Sequence, residues 1–329
     1  MMNKPNLDLL RAVAVLFVLF SHVFRTAYGQ ATPASYAMGQ LGVMIFFVHT
    51  SLVLMQSLER QQVGGTALFK RFYIQRICRI YPLSITLVLA IYFLADQQWT
   101  YFELFTNLAL VQNLTYTRLM SDPLWSLPLE VQMYFMLPFL FVFFRHRPVK
   151  WLLLFWLVSL PIGMLPKLFM PRLEVFAYVP CFLGGVVAWR LQGRERLPAW
   201  LWPLALAIAS LAYILFAETR ANYYSRWAVC MALGLTIPWV QQLATPLLNQ
   251  ASKTIAKYSY GIYLFHYPML ALCFEVLTGL HPVLQWSLFW ALMVVLPYAG
   301  YHLIEHPMIK VGTAWRERKS VAASQLTGA

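Results

Sequence analysis

A chain of 329 residues that is 60% hydrophobic, 16% aromatic and only 11% charged, with a mean hydropathy of +0.60, excludes an ordinary soluble globular domain. The formal charge of +13 invites a nucleic-acid reading. Placing the charges argues against one: they sit in short loops between apolar runs, on alternate sides, as in a polytopic membrane protein.

Apolar runs of about 17 to 25 residues predict ten spans, at 9–26, 41–58, 77–95, 127–144, 149–165, 173–191, 199–217, 225–243, 258–278 and 283–304. The first keeps Arg11 inside it and lacks a small-residue cleavage site, so it is expected to stay as a helix rather than be removed as a signal. Arg79 and Pro82 interrupt the start of the third, and 99–114 reads as an interfacial helix or a loop. The four cysteines, Cys78, Cys181, Cys230 and Cys273, have no C-x-x-C spacing and read as packing residues. No repeat, phosphate loop or metal-ligand cluster is present in the sequence, and no metal is expected. The expected organisation is a transmembrane domain over 1–310 and a small, polar, disordered tail over 311–329.

With the N-terminus inside, eighteen of the twenty-five basic residues fall on inner segments and six on outer ones, Arg11 being within a span. This positive-inside pattern predicts an all-α, polytopic membrane helix bundle of about ten transmembrane helices with both termini cytoplasmic. The basic excess then serves orientation and contact with anionic membrane lipids, and no nucleic-acid partner is expected. The inner loop from Lys70 to Arg79 is denser in charge than orientation requires.

Arg11 and His22 share the first span. Eleven residues at 100° each make three turns plus about 20°, so both project from one helix face, roughly 16 Å apart. Ionisable groups within a span are costly to bury and usually mark a functional path. Depth counting sets Glu130, about one turn into the fourth span, level with His22, and sets Arg11 level with Arg76, Arg79 and Glu305. A polyphosphate donor such as a coenzyme A thioester fits that column, docked on Arg11, Arg76 and Arg79 with its reactive end reaching His22. His22 is then a general base, with Glu130 orienting its ring or positioning substrate.

Five segments carry a family resemblance: NLDLLRAVAVLFVLFSH (6–22), with Arg-x10-His at Arg11 and His22; GVMIFFV (42–48) followed by FYIQRICRIYP (72–82); PLWSLPLEVQMYF (123–135); YSYGIYLFHYP (258–268); and IEHP (304–307). In their order and spacing the chain resembles the acyltransferase-3 family of integral membrane O-acyltransferases. The resemblance implies ten spans, a cytoplasmic acyl-CoA donor, usually acetyl-CoA, and O-acylation of an extracytoplasmic carbohydrate or glycolipid acceptor such as O-antigen, exopolysaccharide or periplasmic glucan, in a bacterial inner membrane. It also implies substrate-contacting roles for Trp125, Ser126, Gln132, Tyr134 and His266. Self-association, or association with envelope-glycan assembly enzymes, is a further expectation. Two departures bear on the channel or acceptor: Met44 replaces a common acidic residue, and His49-Thr50-Ser51 replaces Leu-Ser-Gly.

Each assignment has a structural competitor. Trp125, Tyr134, Tyr258 and Tyr260 also suit an interfacial aromatic belt, Arg76 and Arg79 also suit topology, and His266 also suits a packing histidine bonded to a carbonyl. The rival function is a proton-coupled transporter or flippase with His22, His49, Glu130 and His266 as a relay; the sequence shows neither an inverted repeat nor paired broken spans to support it. The acceptor sugar, the acyl length and the oligomeric state stay open at this stage.

Overall fold

The computed structural model describes residues 4–61, 63–95, 97–169, 173–216 and 223–314. Its α-helices are α1 (Pro5–Thr26), α2 (Pro33–Glu59), α3 (Gly65–Leu94), α4 (Tyr101–Ala109), α5 (Gln112–Thr115), α6 (Ser126–Phe144), α7 (Val149–Leu168), α8 (Val175–Arg190), α9 (Leu201–Leu215), α10 (Tyr223–Thr236), α11 (Pro246–Leu270) and α12 (Pro282–Ala299). Wider π-helical turns extend α11 through Val276 and α12 through Glu305. A helix stands at each of the ten predicted runs. Among the described residues, five are long and apolar enough to cross a membrane: α1, α2, α3, α6 with its leading turn, and α12 with its continuation; α7, α8 and α9 are shorter apolar helices. The chain is a multi-pass membrane protein. Of the tail expected over 311–329, residues 311–314 continue the last helix, and the rest lies outside the described residues, as do Arg172, Arg220, Arg316, Arg318 and Lys319 of the charge count.

Three helices, α2, α3 and α11, start eight to twelve residues earlier than hydropathy predicts. α2 begins at Pro33 because Thr32 and Ser35 form a reciprocal capping box there. α3 begins at Gly65 and runs unbroken through Pro82. Its first turns are amphipathic and cationic, which an apolarity window passes over. Side chains also bond carbonyls near the proline: Thr86 Oγ1 donates to that of Pro82 at 2.9 Å and Tyr260 to that of Ile80 at 2.8 Å.

Small residues bring the central helices together, as expected where lipid supplies no hydrophobic drive between spans. A Cβ on Gly42 of α2 would lie 2.6 Å from the Ala14 carbonyl oxygen of α1, and one on Gly234 of α10 only 2.2 Å from the Gly184 carbonyl oxygen of α8. Larger residues at either place would force the helices apart.

Buried amides lock two connections. Asn6, 2% exposed, donates to the Gln241 carbonyl at 3.0 Å and accepts from the Leu243 N–H at 2.9 Å, while its own carbonyl accepts from Trp202 at 3.1 Å. The start of α1 is thereby tied to α9 and to the strand-like stretch before α11. Between α3 and α6, Asn107 donates to the Arg118 carbonyl and accepts from the Met120 N–H, and Gln112 donates to the Leu124 carbonyl. Those bonds fold the connection back over the bundle. They also fix Asp122, which opens the short 3₁₀ turn leading into α6.

Candidate active site

Two cavities meet inside the bundle. The first, of about 90 Å³, is lined by Arg11, Arg76, Arg79, Glu130, Tyr134 and His49 among others. α1 supplies Arg11, whose Nε donates to Ser259 Oγ of α11 at 2.6 Å; Ser259 in turn donates to the Ala256 carbonyl, which fixes its lone pair toward the guanidinium. α3 supplies the other two arginines at a three-residue interval, on adjacent parts of one face. Arg79 pairs with Glu305, whose side chain is fully buried. Tyr134 donates to the Glu130 carboxylate one turn away on α6. Arg76 keeps its buried Nε without a hydrogen-bond partner, and so does His49 with its Nδ1.

Three guanidinium groups against two carboxylates leave one positive charge in excess. Because an unpartnered buried donor costs about 1 to 3 kcal/mol, the arrangement suits an anionic or strongly accepting ligand more than an empty state.

The second cavity, of about 300 Å³, lies at the C-terminal end of α1 and is lined by His22, Arg25, Tyr36, Gln40, Asp122, Trp125, Glu174 and Tyr178 among others. His22 Nδ1 faces Asp122 Oδ2 at 3.8 Å, and Arg25 Nη2 lies 3.9 Å from the same oxygen. Arg25 also sits over the Tyr36 ring at 4.1 Å. Behind His22, the His266 ring lies 5.0 Å away and Tyr267 meets it edge-on at 5.2 Å. His266 Nδ1 is 2.7 Å from the Tyr263 carbonyl, and since a carbonyl only accepts, that nitrogen carries the proton and Nε2 is a bare acceptor. His22 Nδ1 has no hydrogen-bond partner, and an imidazole near a carboxylate, backed by rings and open to a cavity, is equipped to take a proton from a substrate hydroxyl.

The structure brings Arg11, Arg76 and Arg79 together, as depth counting predicts, and adds Glu130, Tyr134 and Ser126 to the same cavity. It separates Glu130 from His22. Glu130 turns toward the arginines through its bond to Tyr134, and the carboxylate beside His22 is Asp122. Trp125 lines the histidine cavity against Tyr178, with ring centroids 5.7 Å apart. Gln132 lines neither cavity: it exchanges hydrogen bonds with Asn113 of α5, at 3.1 and 3.5 Å, and secures the α3–α6 connection. His266 is fully buried behind His22 and lines neither cavity. Glu305 neutralises Arg79, one of the arginines depth counting sets level with it. Sequence reasoning missed Asp122, Arg25, Ser259 and Tyr263, although Asp122 immediately precedes the PLWSL segment and Ser259 and Tyr263 lie within YSYGIYLFHYP.

A family model described as an acyltransferase domain matches residues 4–302. A protein of the Acidianus two-tailed virus named as an acetyltransferase is 26% identical, with 80% of this chain and 82% of the relative covered. A peptidoglycan O-acetyltransferase of Listeria monocytogenes is also 26% identical over 94% of this chain; the chain spans 56% of that relative's length. No solved structure matches.

Proposed function

Since the chain belongs to the acyltransferase-domain family of membrane enzymes, we propose that it moves an acyl group, acetyl in the simplest case, from a coenzyme A thioester in the arginine cavity to a carbohydrate hydroxyl in the histidine cavity. One observation carries this reading: an anion-accepting pocket and a His–Asp pocket border on each other within a single helix bundle. The donor's phosphates are drawn to Arg76 and to Arg79, which is 22% exposed, and its acyl end reaches in toward His22. His22 takes the acceptor proton, the hydroxyl oxygen attacks the thioester carbonyl, the carbon–sulfur bond breaks, and the proton passes from imidazolium to the departing sulfur. Asp122, 3.8 Å away, favours the imidazolium by charge. Glu130 and Tyr134 limit the positive charge of the donor pocket.

In this reading the protein is a ten-span protein of a bacterial cell membrane with both termini cytoplasmic, supported by the eighteen-to-six division of basic residues. The arginines then lie toward the donor side and His22 toward the envelope glycan. The Listeria relative's name supports an aminosugar glycan as acceptor, and the aromatic and carboxylate lining of the histidine cavity suits sugar faces and hydroxyls. The test is purified protein in nanodiscs with labelled acetyl-CoA and soluble glycan fragments. Thiol release matched mole for mole by alkali-labile label on the glycan supports the function; label carried across without thiol release would favour a transporter.

A further inference from the structure

The two cavities share only Val43 and Tyr263 among the described lining residues. In the donor reading proposed above, the acyl end reaches His22 past these two side chains. Neither is free to move aside. Val43 is 5% exposed on α2, next to Gly42, which is pressed against the Ala14 carbonyl and Val18 of α1, so that α2 cannot retreat. Its β-branched side chain is also stiff about χ1. Tyr263 donates to the Pro123 carbonyl at 2.8 Å and accepts from Ser126 Oγ at 2.6 Å, which holds the ring by its far end. Phe46 meets that ring edge-on at 5.9 Å and His266 lies 6.0 Å away on another side.

We infer that Val43 and Tyr263 form an acyl-length gate: they bound the space in which the acyl group is seated when the thioester meets His22, so that acetyl fits and longer straight-chain acyl groups do not. The inference rests on the donor reading proposed above and deepens it. With the tyrosine hydroxyl already engaged, the passage presents a branched alkyl group and an aromatic ring, surfaces that discriminate by volume and not by hydrogen bonding. A rigid apolar site separates neighbours that differ by one methylene by about 10- to 200-fold, which sets the preference for acetyl-CoA over propanoyl-CoA expected of the wild type.

The experiment compares wild type, Val43→Ala and Val43→Ile in nanodiscs, with acetyl-CoA, propanoyl-CoA and butanoyl-CoA in competition and acylated glycan as readout. Val43→Ala should narrow the acetyl preference by at least about tenfold, and Val43→Ile should widen it, by the same volume argument. Opposite movement in the two variants supports the gate. An unchanged preference in the alanine variant, movement in the same direction in both, or loss of all transfer in both overturns it. Wild type that consumes none of the three donors removes the functional reading, and the gate with it; wild type that prefers acetyl while the variants fail to move removes the gate alone.

Discussion

Replacing Asp122 by Asn removes a charge beside His22 and leaves the shape of the site nearly intact. At 3.8 Å, a full carboxylate–imidazolium interaction is worth about 1 kcal/mol in water and about 4 kcal/mol at the effective dielectric of a protein surface. The Asp122 side chain is 42% exposed and Arg25 draws on the same oxygen, so solvent and competition hold the loss to about 1 to 2 kcal/mol, or about 5- to 30-fold in rate. The loss should fall on kcat, with the KM values for donor and acceptor little changed, because the imidazolium forms only as the reaction proceeds. Asp122→Glu, which keeps the charge, should recover part of it. In a His22→Ala background the Asn substitution should have no further effect, since the two residues act through one interaction. Steady-state thiol release under varied donor and acceptor decides the matter. Wild-type kcat in the Asn variant, or an equal loss in the His22→Ala background, would refute the His22–Asp122 pairing as the catalytic unit.

The arginine cavity separates binding from folding. Arg76→Gln should raise donor KM by about 1.5 to 3 kcal/mol, roughly 10- to 150-fold, with acceptor KM unmoved and Tm near wild type; Arg79→Gln leaves buried Glu305 unpaired and should cost about 3 to 5 kcal/mol of stability, seen as a lowered Tm that Glu305→Gln partly restores. Asn6→Ala strips the partners from the Leu243 N–H and the Gln241 carbonyl, with an expected loss of about 1 to 3 kcal/mol for each buried group, measured by thermal unfolding in detergent. On the amphipathic α4, hydrogen bonding from Arg118 holds the Glu103 carboxyl down to about 2. A depressed carboxyl stabilises above its unfolded value near 4.3 and loses that contribution as pH falls toward 2, so amide protection of 100–110 should be flat from pH 7 to 5 and decline below pH 4.

The helices themselves are legible in the sequence because a span needs a long apolar run and little else. Arg11 and His22 stand out for the same reason: charge inside such a run has to be used or paired. Glu130 shows where that reasoning ends. Counting residues assigns it a depth but carries no information on which way α6 faces; the bond to Tyr134 turns it toward Arg76 and Arg11, and the place beside His22 is taken by Asp122. Asp122 belongs to a connection with no hydropathy signal, folded back by Asn107 and Gln112, whose partners are main-chain groups 11 to 13 residues away. Gln132 misleads similarly, since its partner Asn113 lies 19 residues away in the same connection. The early start of α3 is hidden by its charges, which an apolarity window discounts and an amphipathic helix tolerates.

The central claim is that His22 carries the proton for acyl transfer from a coenzyme A thioester to a glycan hydroxyl. Its most direct test is His22→Ala in nanodiscs beside wild type, with labelled acetyl-CoA, soluble glycan acceptor, and donor binding measured in parallel. The account predicts donor affinity close to wild type and a fall in glycan acetylation of about 10² to 10⁴. Glycan acetylation at the wild-type rate by His22→Ala would contradict it.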